Sequence, residues 1–141
     1  MYFEQLVPGK TIGFGPIKIE KDSMMEFAKK YANVPIHTDE EYAKTTHFGD
    51  IIAPGMLTFL EVWAEYLKKD FFGEQLIAGQ STKVEWLKPV FAGDIIYGEA
   101  KITELYDRNP KNGLAVLKII AYDKDYEDVL KAVIHAVVKK S

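Results

Sequence analysis

At 141 residues, 48% hydrophobic and 28% charged, the chain has the make-up of one globular domain, long enough for a real core. A net charge of −3 and a pI near 5.6 leave no basic surplus for nucleic acid or an anionic membrane, and the absence of cysteine excludes disulfides, thiolate metal sites and cysteine nucleophiles. MYFEQLVPGK carries no basic-then-apolar leader pattern and no apolar run is long enough for a bilayer, so the expectation is a single cytosolic domain over residues 1–141.

Residues 1–19 read as an extended arm. Pro8-Gly9 is a turn signal. Ile17 and Ile19 alternate with Lys18 and Glu20, as on a half-buried strand. A helix is expected to begin near Ser23, where Ser23 and Glu26 have capping-box spacing and Asp22 is an alternative cap. Met24, Phe27, Ala28 and Tyr31 share one face of it. Pro35 ends any helix before Val34. Residues 38–44 predict one short helical turn, capped by Thr38 or Asp39.

The most apolar helical stretch follows at about 55–69. From Met56 to Leu67 only Thr58, Glu61 and Glu65 are not apolar, and they fall at i, i+3 and i+7. Such a helix must be covered on most sides, by a curved sheet or a second subunit, with Phe59, Val62, Trp63 and Tyr66 inward. Pro54-Gly55 stands at its start, where free N–H groups and the positive end of the backbone dipole meet. From residue 77 the apolar period becomes two. Strands are expected over STKVEWL, 94–106, 113–122 and 128–139, separated by KPVFAGD and by the turns DRNPKNG and DKDYED. Leu130, Ala132, Ile134, Ala136 and Val138 make one apolar face of the last strand, opposite Lys131, His135 and Lys139. Short turns between long strands mean antiparallel pairing, so the fold class is α+β: one antiparallel sheet against a buried helix.

Three stretches, PIHTDEEYA (35–43), FGDIIAPGML (48–57) and WLKPVFAGD (86–94), resemble the MaoC-like dehydratase family, which includes (R)-specific enoyl-CoA hydratases. YFEQLVPG and FAKKY resemble it too, and the likeness runs over nearly the whole chain. The resemblance implies a hot-dog fold, a curved sheet wrapped around the central helix, in a homodimer or higher homo-oligomer. It implies acyl-CoA or acyl-carrier-protein thioesters as partners, coenzyme A thioester as substrate, and no separate cofactor or metal. It places an acid/base at His37 and an oxyanion-binding N–H at Gly55, with Phe48, Pro54 and Met56 lining the substrate site. The family's loop carries an Asp five positions before the His, and here that position is Ala32. The polar residue three before the His maps onto Val34, which leaves Asn33 as the polar side chain able to orient a water.

The chemistry fits those residue types. Hydration of a 2-enoyl thioester needs its carbonyl polarised, and a helix N-terminal N–H is a fixed donor aimed at such charge. A histidine can take a proton from water and return one to the α-carbon near neutral pH. The bland alternatives are a turn-permitting Gly55 and a loop histidine bonded to backbone; the PIH and APGM contexts favour the site. Asp39 reads as a helix cap, and His47 and Asp50 as solvated. Carrier-protein dehydratases, which this helix also resembles, place an acid where Leu60 stands, so Glu61 is one step off. It reads instead as part of the least buried stripe, with Thr58 and Glu65. His135 reads as structural or exposed, and Lys83 and Lys88 as solvated or meeting coenzyme A phosphates. The rival functions are a hot-dog thioesterase using Glu61 and a non-catalytic acyl-CoA binder.

Overall fold

The computed structural model describes residues 1–141. Five strands form one antiparallel sheet: β1 (Thr11–Lys18), β2 (Leu76–Trp86), β3 (Ile95–Asp107), β4 (Asn112–Asp123) and β5 (Asp128–Lys139), in the spatial order β1-β3-β4-β5-β2. The last three lie within one residue of the ranges that the alternation predicts. The helices are α1 (Lys21–Tyr31), α2 (Pro35–Thr38), α3 (Glu40–Lys44) and α4 (Gly55–Leu67).

α4 approaches β1 and β3 most closely, and the buried face of the sheet is rich in small residues. Ala100, Ala115, Ala121, Ala132 and Ala136 are all buried on the face that carries Ile96, Leu117, Ile119, Leu130 and Ile134. Short side chains let a helix approach the strands closely, and the larger ones fill the gaps beside it. Register shifts interrupt β1 between Phe14 and Ile17, β3 between Ile102 and Glu104, and β2 at two places. Each extra residue sharpens local twist, which bends the sheet around the helix. Phe14 lies over its cross-strand partner Gly98, where an added Cβ would come within 2.2 Å of the ring. From α4, Phe59, Val62 and Tyr66 are buried as expected, each stabilising by roughly 1.5–3 kcal/mol if fully removed from water. The Tyr66 hydroxyl donates to Asp70 at 2.7 Å, and the same carboxylate accepts from Phe72 N–H and Gly73 N–H. Burial, with the Asp70 bond, pushes the Tyr66 phenol well above its usual range. The expected apolar face of β5 is also buried throughout.

Several local expectations are corrected. The first helix starts at Lys21, with Glu20 as a cap that makes no side-chain bond, so neither the Ser23–Glu26 box nor the Asp22 cap forms. Strand pairing fixes this start: Ile19 N–H is held by the Asp94 carbonyl, and Glu20 C=O then takes Met24 N–H. His37 is not in a loop but in the one-turn helix α2, which Pro35 opens at its first position. Asp39 does cap the next turn, accepting from Tyr42 N–H at 3.1 Å. The largest correction concerns α4. Thr58 is only 1% exposed, so Thr58, Glu61 and Glu65 are not the least buried stripe. That stripe is apolar: Met56, Leu60 and Leu67 are 48%, 43% and 42% exposed. The curved sheet covers one side of α4 and leaves the other apolar side bare.

Candidate active site

The loop after α1 brings His37 to the start of α4. Ala32 closes α1, its N–H bonded to Ala28 C=O at 2.9 Å, and Val34 N–H returns to Ala32 C=O at 2.8 Å. Beyond α2 and α3 the chain comes back in an extended run. Ile52 N–H bonds Ile36 C=O and Ala53 N–H bonds Val90 C=O. This run carries the Ile52 carbonyl to the half-buried His37 ring, 2.7 Å from Nδ1. A carbonyl only accepts, so in the neutral ring Nδ1 keeps the proton and Nε2 keeps a free lone pair. The backbone bond of the bland reading is therefore present, and it fixes the tautomer a general base needs.

Gly55 is the first residue of α4. The Pro54 carbonyl accepts from Leu57 N–H at 3.0 Å and Thr58 N–H at 3.2 Å, while the N–H groups of Gly55 and Met56 find no backbone acceptor. They are the free donors of the helix start. The absence of a side chain at Gly55 has a specific cause. Trp86 Nε1–H donates to Gly55 C=O at 2.7 Å, and a Cβ on Gly55 would lie 2.6 Å from Trp86 Cε2. Close approach of the indole, rather than turn geometry, demands glycine here. No local sequence signal links two residues so far apart.

Two cavities meet at these groups. One, of about 520 Å³, is lined by His37, Phe48, Ile52, Gly55, Met56, Thr58, Trp86 and Lys88 among others. The second, of about 440 Å³, is lined by Phe27, Tyr31, Ala32, His37, Pro54, Gly55, Met56 and Leu60. His37, Gly55 and Met56 border both. Of the residues singled out from the sequence, five are brought together here: His37, Gly55, Phe48, Pro54 and Met56. Asn33 is exposed and lines neither cavity. Ala32 and Leu60, the two positions at which related families carry an acid, both face the second cavity, so no carboxylate lies beside His37 in its wall.

The other candidates are placed elsewhere. Glu61 lines no cavity, and Glu65 pairs with Lys68 at 2.9 Å. His47 is exposed and its ring lies tilted against Phe48, with centroids 4.0 Å apart. Asp50 accepts from its neighbour, Ile51 N–H. Lys83 is exposed, 3.6 Å from Glu85. Lys88 is not merely solvated: it lines the first cavity but is held by Asp123 at 2.5 Å and Glu127 at 2.6 Å. Those bonds hold the Lys88 ammonium above the usual lysine range, and the same contact draws Asp123 below the usual carboxylate range. Its charge is already committed. Sequence reasoning missed Trp86 and Tyr31 as wall residues, and it missed Thr58, whose buried hydroxyl has no partner.

A five-stranded curved sheet around a helix, with a histidine that shares its cavities with that helix's free N-terminus, defines a hot-dog fold. The chain belongs to the MaoC-like domain family, whose model matches residues 4–121. It is similar to YdeM of Bacillus subtilis, an uncharacterised protein, at 27% identity over 99% of this chain and 100% of that one. It is similar to a solved structure from Archaeoglobus fulgidus described as a monoamine oxidase regulatory protein. Identity there is 32%, coverage 100% and 95%, and the TM-score 0.94. The (R)-hydratase PhaJ1 of Pseudomonas aeruginosa shares the fold at TM-score 0.80, with 22% identity and coverage of 99% and 86%.

Proposed function

We infer that the chain is an acyl-thioester hydratase/dehydratase acting between 2-enoyl and 3-hydroxyacyl thioesters, with coenzyme A as the carrier and no further cofactor. One observation carries this reading: His37 Nδ1 is tied to the Ile52 carbonyl, which leaves Nε2 as a base on a residue that lines the same two cavities as Gly55, whose N–H has no backbone acceptor. In the hydration direction the thioester oxygen takes the Gly55 N–H. His37 Nε2 removes a proton from water as its oxygen bonds the β-carbon, and the charge on the thioester oxygen is held by the helix start. The imidazolium then returns a proton to the α-carbon. Phe48, Pro54 and Met56 shape the acyl and pantetheine surroundings. Ala32 removes the second water-holding group, so the rate is low: a lost acid/base partner typically costs about 10²–10⁴-fold.

The working unit is a homodimer in the cytosol. The bare stripe of α4 and the free edge of β2, with Ile77 54% exposed, support a second copy on that side. No helix is long and apolar enough to cross a membrane. The thioesterase rival loses support because Glu61 lines no cavity. The test follows loss of the enoyl chromophore and release of free thiol on short 2-enoyl-CoA. Hydration lost in His37→Gln, with no thiol released, is the expected result. Thiol release that survives in His37→Gln overturns the reading.

A further inference from the structure

The wall around His37 suits a different use of the same base. An ordered water needs about two to four polar partners. In the cavity on the Ala32 side, only His37 and Tyr31 offer polar side-chain atoms, and Tyr31 is 67% exposed. On the other side Lys88 is committed to Asp123 and Glu127 and Thr58 offers one unpartnered hydroxyl, so neither wall holds a carboxylate to fix and activate a water. Adding water to an alkene requires that third body to be held. Moving a proton along an acyl chain does not. It requires one base of fixed tautomer, one donor at the thioester oxygen and an apolar wall.

We propose that this site also isomerises 3-enoyl thioesters to the conjugated 2-enoyl form by a 1,3-proton shift through His37. The step balances without water or cofactor. His37 Nε2 takes a proton from C2, and the C–H electron pair moves into the C1–C2 bond as the carbonyl pair moves to oxygen. Gly55 N–H holds that oxygen. The dienolate then collapses: the carbonyl re-forms, the double bond settles between C2 and C3, and C4 takes the proton from the imidazolium. The C2 proton of a 3-enoyl thioester is more acidic than that of a saturated one, because the resulting anion is conjugated over both groups. A lone imidazole is therefore better matched to it. The reading rests on the thioester site proposed above, but not on hydration.

The experiment uses the full chain with (3E)-hexenoyl-CoA and, separately, (2E)-hexenoyl-CoA. The first should gain the conjugated enoyl absorbance. Substrate deuterated at C2, turned over in ordinary water, should yield product with deuterium at C4, the signature of one shielded base. His37→Gln can still donate to the Ile52 carbonyl and so keeps the local fold, which a melting curve checks. It should lose isomerisation about 100-fold or more. Ala32→Asp should raise the ratio of hydration to isomerisation by about tenfold or more. Hydration of the 2-enoyl probe without isomerisation of the 3-enoyl one overturns this inference and leaves the hydratase reading standing. Isomerisation without hydration does the reverse. Isomerisation that survives in His37→Gln also overturns it.

Discussion

Gly55→Ala isolates the contact that shapes the mouth of the site. The new Cβ would sit 2.6 Å from Trp86 Cε2, 2.7 Å from Nε1 and 3.0 Å from Cδ2. Ordinary contact begins at 3.4 Å, so the indole must withdraw by 3.4 − 2.6 = 0.8 Å. That movement strains or breaks the 2.7 Å bond from Trp86 Nε1–H to Gly55 C=O, at about 1 kcal/mol. Overpacking adds roughly 1–3 kcal/mol in a closed site. Trp86 is 45% exposed and able to swing outward, so the lower end applies. Against this, replacing glycine by alanine restricts the unfolded chain and gains about 0.4–1 kcal/mol. The net is a loss of about 1 kcal/mol, or a few degrees in melting temperature for a domain of this size. A double-mutant cycle with Trp86→Ala reads the contact directly. Gly55→Ala should destabilise the native background and be neutral or stabilising where Trp86 is absent. Equal losses in both backgrounds would refute the claim that the indole is what demands glycine.

The remaining expectations can be checked with simpler measurements. Glu61→Gln should leave enoyl turnover and thiol release within about twofold of the parent, because its carboxylate lines neither cavity; steady-state rates decide. Asp123→Asn should lower the melting temperature at neutral pH. The Asp123 carboxyl is held below its ordinary range by Lys88, so its contribution is present above the unfolded value, near pH 4. It is lost as pH falls through the depressed folded value. Lys88 is held above its ordinary range, so its share is present below about pH 10 and lost as pH rises through the raised value. Parallel melts should show the gap between parent and variant closing at both extremes. Ala32→Asp should raise hydration of short 2-enoyl-CoA, since a carboxylate there would border the same cavity as His37; initial rates across pH test this.

The sheet was legible because its signal is local. Alternation in β3, β4 and β5 directly reports which side faces the helix, and the turns between them carry their own chemistry. The edge strand β2 was found as a strand, but most of its residues are exposed on both faces, so alternation there says nothing about burial. The helix α4 was found by composition, with Phe59, Val62 and Tyr66 inward as expected, but its least buried stripe was misread. An apolar helix with three polar residues suggests that those three face water, yet the curved sheet covers Thr58 and leaves Met56 and Leu60 bare. Only tertiary curvature decides that, and it depends on bulges that no periodicity marks. In the site, the His37 and Gly55 positions were legible because they lie in two short, recognisable stretches. The Ile52 carbonyl, the Trp86 indole and the committed charge of Lys88 were not, because each depends on a partner distant in sequence.

The bare stripe and the cavities are linked through solvent. Met56 and Leu60 belong to the exposed side of α4, and both also line the cavity that holds Ala32 and His37. In a lone chain that cavity opens to water, where the Gly55 N–H would act on a developing oxyanion through a high dielectric. The same charge–dipole contact is several-fold stronger once water is excluded. A second copy laid along β2 and α4 would cover Leu60 and Met56 and close the cavity from that side, with apolar burial of the stripe as the driving term. Activity and association should therefore fall together. Serial dilution through the dissociation range of the proposed dimer, with rate per chain measured beside sedimentation, tests this. A rate per chain that stays constant while the dimer comes apart would show that one chain closes its own site, and that the bare stripe of α4 has no part in the chemistry.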